Sequence, residues 1–237
     1  PFEAGTKKGK KNMANAQTAG YGCRQTMTVG NTPATGGQSE FLVQPVATNV
    51  AIFKGSPVAM QTAQGNGSLG FIQDTSALAM TDGIQGGVAW AHNRANTNKV
   101  LGVFNGATFV DATGKPSWTN GLIAGQLTSV DYNTGSANIT AFVNTNPAQE
   151  YTVRADAALT NASFNTLTNT GFNLNSVGAG VSGQSDSTLD ITGATTGVAN
   201  YMWKIVRSAN VINQVDFLVP GADLIVTINP QASAYLA

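Results

Sequence analysis

Apolar residues in this chain come in short runs, each closed off by glycine, proline, asparagine or serine. That pattern predicts strands rather than long helices. Phe41-Leu42-Val43 opens a strand after Glu40, and Val50 to Phe53 runs into the turn Lys54-Gly55-Ser56-Pro57 before Val58-Ala59-Met60 resumes the strand. Phe71-Ile72-Gln73 is strand-like as well. The most strand-like stretch is Lys99 to Phe104; Asn105-Gly106 then reads as a hairpin turn, with Ala107 to Val110 as the returning strand. Further strands fit Ser129 to Tyr132, Asn138 to Val143, Tyr151 to Arg154, Tyr201 to Arg207, Gln214 to Val219 and Asp223 to Asn229, with Pro220-Gly221 turning between the last two. A helical period occurs at Asp156 to Leu167, where Leu159, Ala162, Phe164 and Leu167 give a patchy apolar face. No internal repeat of fixed period stands out.

Residues Ala14 to Gln38 are polar and glycine-rich with no sustained period, so they predict an extended arm that orders by lying on something else. The expected fold is therefore mainly β, a short-stranded barrel or sandwich with one short helix, preceded by an extended N-terminal arm. Residues 1–38 read as the arm, 39–155 as a barrel-like domain, and 156–237 as a second β-rich segment packing on the first or forming a small domain. Met13-Ala14-Asn15 has the form of a translation start, so Pro1 to Asn12 reads as an upstream extension or cloning remnant, or as a solvated lysine-bearing tail.

Composition narrows the function. The 237 residues include 42% hydrophobic side chains, enough for a real core, and 27 glycines, which favour tight turns over a helical bundle. Only 10% are charged, with one histidine and one cysteine. Acid–base and nucleophilic catalysis draw on clusters of such groups, so the composition points to a structural or binding role and no catalytic residues are nominated. Net charge is zero, but Lys7, Lys8, Lys10 and Lys11 hold four of the twelve basic residues, leaving eight bases against twelve acids elsewhere. That body is a poor nucleic-acid partner. Cys23 reads as a small apolar filler, since one cysteine makes neither an internal disulfide nor a metal-binding spacing. No apolar run reaches membrane-spanning length and no signal peptide is visible, so a soluble protein made in a cytoplasm is expected.

Candidate chemistry is thin. Gly65-Asn66-Gly67-Ser68-Leu69-Gly70 and Gly178-Ala179-Gly180-Val181-Ser182-Gly183 both match the dinucleotide glycine pattern, yet neither joins a strand to an apolar helix. They read as loops, and no cofactor, metal or small-molecule substrate is expected. His92, beside Trp90, could serve as a general base with Asp82 or Asp74, but no serine elbow accompanies it. A hydrogen-bonding or interface role is the plainer reading.

Several segments together resemble the capsid decoration, or cement, proteins of tailed bacteriophages. They are Gly55-Ser56-Pro57-Val58, the block Leu101 to Gly106 followed by Phe109 and Gly114, and the block Phe142 to Pro147 followed by Tyr151 to Asp156. Ser182 to Ser185 with Leu189-Asp190, and the region Val206 to Asn229, follow in the expected order. One departure is Thr145-Asn146, where the family carries an acidic pair before the proline. The resemblance implies a non-enzymatic β protein on the outside of a phage head that ties neighbouring major capsid subunits together, acting as a dimer or trimer. Other readings are a head fibre, tail protein or adhesin, and then a carbohydrate-active enzyme. Tyr21, Arg24 and Met27 of the arm are the candidate anchors, with Trp90 and Trp118 beside them, because aromatics, arginine and methionine are enriched at interfaces. On this reading, deleting Ala14 to Gln38 leaves the fold intact and removes capsid affinity.

Overall fold

The computed structural model describes residues 20–29, 32–33, 37–43, 52–60, 71–74, 100–111, 113–122, 139–159, 171–172, 174–175, 183–191, 202–209, 221–230 and 233. Of these, 65% lie in strands, so the protein is mainly β. In chain order the strands are β1 (Arg24–Thr28), β2 (Thr32–Pro33), β3 (Gln38–Val43), β4 (Ile52–Phe53), β5 (Pro57–Met60), β6 (Phe71–Asp74), β7 (Val100–Val110) and β8 (Pro116–Thr119). They continue with β9 (Gly121–Leu122), β10 (Thr140–Asn144), β11 (Gln149–Arg154), β12 (Gly171–Phe172), β13 (Leu174–Asn175), β14 (Thr188–Leu189), β15 (Trp203–Ser208) and β16 (Asp223–Ile228).

Two larger sheets carry the fold. One has the order β12-β15-β16-β11-β1-β2, with every pairing antiparallel. The other runs β10-β3-β6-β5-β7-β8, and an added pairing of β10 with β7 closes β10, β3, β6, β5 and β7 into a ring. In this sheet β3 and β6 pair in parallel, and the other pairings of its described strands are antiparallel. Closure removes the free edges of those strands. The ring holds a core of Val58, Leu101, Phe104, Ala107, Ala141 and Val143. Behind the open sheet, Tyr151, Val153, Trp203, Ile205, Leu224 and Val226 form a second core, joined by Cys23, Val100 and Val103. Tyr151 meets Trp203 edge-on at 5.5 Å between ring centroids, a favourable aromatic geometry.

Strand β7 serves both cores. Val100 and Val103 face the open sheet, while Leu101 and Phe104 fill the ring, so residues 100–104 are all buried. That explains why this stretch is a continuous apolar run rather than an alternation. Two bulges adjust its register. Val58 and Ala59 oppose Gly102 and Val100, leaving Leu101 extra, and Phe142 and Val143 oppose Gly106 and Phe104, leaving Asn105 extra. Asn105-Gly106 is thus a bulge inside one long strand, not the hairpin turn that its composition predicts. Chain reversal comes later, where Gly114 N–H donates to Asp111 O and Asp111 N–H to Lys115 O.

The arm also takes a definite place. Arg24–Thr28 is extended, as expected, and it pairs with β11 of its own chain. Sheet membership does not follow a boundary at residue 155, because β11 precedes it and pairs with β16 beyond it. The predicted helix does not begin at Asp156. Residues 156–159 are bend and coil, because their polar groups are committed to neighbours: Asp156 N–H donates to Leu189 O, and Asp156 Oδ1 accepts from Ile191 N–H at 2.9 Å. These tertiary bonds outweigh a modest helical propensity. Residues 160–167, and the strands expected at 129–132 and 214–219, lie outside the described residues.

A Cβ on Gly102 would collide with the backbone oxygen of Asn144, whereas one on Gly114 would meet nothing within 4 Å. Gly102→Ala should therefore cost about 3 kcal/mol by overpacking. Gly114→Ala, strained only by its φ of +81°, should cost about 1 kcal/mol. Chemical denaturation midpoints of the two variants check the ranking.

Candidate functional site

The turn Lys54–Pro57 brings four parts of the chain together. Gly55, at φ +91°, adopts a backbone conformation that side-chain-bearing residues rarely reach. Its N–H donates to Phe104 O, and its carbonyl accepts from Cys23 N–H at 2.9 Å. Ser56 O takes the Phe104 N–H, so turn and β7 exchange a pair of bonds. Lys54 N–H lies between Asn120 O at 2.7 Å and Gly183 O at 3.1 Å, while Lys54 O accepts from Ser185 N–H. The arm is thus fastened to the barrel by main-chain bonds that need no particular side chain.

Beside this junction a cavity of about 300 Å³ opens between arm and barrel. Its walls come from Tyr21 and Cys23 to Gln25 of the arm, the Lys54–Gly55 turn, residues 103–105 of β7, Asn144, Tyr151 and Gln184. Tyr21 stands at its edge, between the guanidinium of Arg24 at 4.0 Å and that of Arg154 at 4.9 Å from the ring centre. The Tyr21 hydroxyl donates to Asp223, whose Oδ1 also accepts from Arg154 Nε at 3.1 Å. Burial first, and then the Asp223 carboxylate, push the Tyr21 phenol well above its ordinary range. Burial pushes the Cys23 thiol up as well, which makes it a poor nucleophile. It packs in the core as the apolar filler expected of it.

Two other candidates are on the surface. Met27 of β1 is 44% exposed and Trp118 of β8 is 51% exposed. Trp118 lies over Gly106, which has no side chain to hold it off, and its ring meets Phe142 at 5.3 Å. Its indole N–H donates to Asn120 Oδ1 at 3.2 Å. The residue is therefore half exposed while packed on Gly106 and Phe142. Val29, 58% exposed, adjoins Met27 and was not singled out in the sequence. Only its position next to the edge of the sheet marks it. Tyr21, Arg24 and Met27 share the arm, Trp118 belongs to the other sheet, and Trp90 and His92 lie outside the described residues.

On the open sheet, Arg207 binds Glu150 with two parallel bonds of 2.8 and 2.5 Å, and the Glu150 side chain is only 2% exposed. Among the described residues no group of three potential metal ligands occurs, and no helix there is long and apolar enough to cross a membrane. No family model, curated protein or solved structure matches the chain.

Removing one partner of a buried ion pair strands the other charge. Arg207→Met should destabilise the fold by about 3 kcal/mol, at the low end of that cost because the arginine is partly open to water. The double variant Arg207→Met with Glu150→Gln should recover much of the loss, read by thermal and denaturant unfolding. A second expectation concerns Asp111, whose Oδ1 accepts from the Thr113 hydroxyl at 2.6 Å and from the Thr113 and Lys115 amides at 2.9 and 3.0 Å. The Thr113 hydroxyl, followed by the Lys115 amide, holds this carboxyl below the ordinary aspartate value. The turn's electrostatic support is then complete above about pH 4 and lost as pH falls through the lower folded-state value. Amide shifts of Thr113 and Lys115 should report that midpoint, and Asp111→Asn should abolish it.

Proposed function

We propose that this protein is a non-enzymatic structural component of a virion. It binds the outer surface of a phage head and cements neighbouring major capsid subunits, with the host bacterial cytoplasm as its place of synthesis. The observation that carries the reading is the pairing of exposed apolar side chains with incomplete sheet edges. Among the described residues the open sheet continues beyond β1 into the two-residue β2, and Met27 and Val29 protrude there. Beyond β8 no further strand follows among the described residues, and Trp118 protrudes from it. An edge of this kind offers main-chain donors and acceptors to a neighbouring chain, and an aromatic or methionine beside it supplies anchoring area.

A second support is the placement of the segments on which the resemblance to decoration proteins rests. Gly55 bonds to Phe104, Val143 pairs with Phe104, and Ala155 bridges to Leu189. Those segments are neighbours in space and form the frame on which both edges are built. Repetition over a symmetric shell then converts modest edge contacts into strong retention, and binding that favours the expanded shell stabilises it by linkage. A dimer or trimer suits the rotational symmetry of such a lattice.

Deleting Ala14 to Gln38 is not a clean test, because it removes β1, β2 and the core residue Cys23. Exposed positions serve better. Met27→Asp should leave the unfolding temperature nearly unchanged, whereas Trp118→Asp should lower it modestly because the Phe142 contact and the Asn120 hydrogen bond are lost. Each should weaken co-sedimentation with expanded heads lacking the protein by about tenfold or more. Unmodified protein that fails to sediment with such heads would overturn the reading.

A further inference from the structure

The cavity beside the Gly55 turn has an uneven set of polar walls. Arg24 and Lys54 line it, together with the amides of Gln25, Asn105, Asn144 and Gln184, and among the described residues no aspartate or glutamate does. Neither Arg24 nor Lys54 has an ion-pair partner among the described residues. Asn144 is 2% exposed, and its Nδ2 has no hydrogen-bond partner there. The direction of that amide is fixed. Asn144 Oδ1 accepts from Asn146 N–H at 3.3 Å, which leaves Nδ2 as the free end. Asn144 also stands directly opposite Val103, a residue that faces away from the ring's interior and lines the same cavity. Paired residues on neighbouring strands project to the same side, so the Asn144 side chain leaves the barrel towards the cavity. A buried donor without an acceptor is costly, and a ligand that supplies one recovers that cost.

We propose that this cavity is a binding site for a carboxylate group. Arg24 supplies a planar fork that matches two carboxylate oxygens, Lys54 adds charge, and Asn144 Nδ2 donates from the buried wall. The cation–π contact with Tyr21 holds the Arg24 guanidinium at the cavity rim. Val103 and Tyr151 complete the apolar lining and suit a short apolar stem behind the acid, while Phe104, whose side chain fills the ring, borders the cavity with its backbone. Its size lies at the lower end of ligand pockets. The carboxylate has two possible sources, a free small acid or an acidic side chain of a partner protein. The site stands on its own geometry and does not depend on the capsid reading.

The test uses the full chain labelled with ¹⁵N and follows the side-chain amide signals of Asn144 and Gln184. Four probes are titrated: propionate, its neutral analogue propionamide, a blocked Gly-Gly-Asp-Gly-Gly peptide and the same peptide with asparagine at its centre. The proposal expects at least one acid to shift the Asn144 signal saturably, with its neutral analogue at least about tenfold weaker. Arg24→Gln, at an exposed position where the change removes the contact with Tyr21 and should lower the unfolding temperature slightly, should weaken acid binding about tenfold. Lys54→Gln should weaken it as well and provides an independent check. Tighter binding of the acidic peptide assigns the site to a partner's side chain, and tighter binding of propionate assigns it to a free acid. Equal response to acid and amide, no response to any probe, or acid binding unaffected by Arg24→Gln would overturn the proposal.

Discussion

The junction of arm and barrel rests on a few main-chain hydrogen bonds at one glycine turn. Gly55 gives its N–H to β7 and its carbonyl to the arm, while the flanking Lys54 reaches Asn120, Gly183 and Ser185. Such bonds are individually modest but expensive to leave unmade in a buried place. Residues 55–58 are all buried, so the alternative to this particular arrangement is several orphaned polar groups. The turn thereby fixes the position of the arm against the barrel, the depth of the cavity between them and the register of β7.

From β7 the constraint spreads outward. A strand buried on both faces serves two cores at once, and the bulges at Leu101 and Asn105 shift its register against β5 and β10. Glycine is needed where backbones come closest. Gly102 admits the carbonyl of Asn144, and Gly106 admits the ring of Trp118. The half-exposed tryptophan is therefore a consequence of packing inside the strand. The same strand that joins the two cores also determines what one edge presents to a partner.

Much of the fold was legible in the sequence because short apolar runs and turn residues report local geometry directly. Strands at residues 41–43, 58–60, 151–154 and 223–228 follow that pattern, and Cys23 behaves as the small apolar residue it is. Two features were hidden for physical reasons. Asn105-Gly106 carries the composition of a hairpin turn, and only pairing with β10 on the other side reveals a bulge. Residues 24–28 lack any apolar alternation because their edge strand buries little, so their docking on β11 depends on main-chain bonds that composition does not encode. The candidate site was partly legible. Tyr21 and Arg24 were singled out by residue type, whereas Lys54, Asn144 and Gln184 come together only through the fold. Val29 carried no signal beyond its neighbours, and Trp90 lies outside the described residues.

The central claim is that the incomplete edges along β1 and β8 are where this protein holds another. Hydrogen exchange of the backbone amides, with and without expanded phage heads, addresses it directly. The account predicts strong slowing at 24–29 and 116–119 when heads are present, with the already protected amides of Gly55 and Phe104 unchanged. Exchange at both edges that is indifferent to the heads, under conditions where the protein is bound, would contradict it.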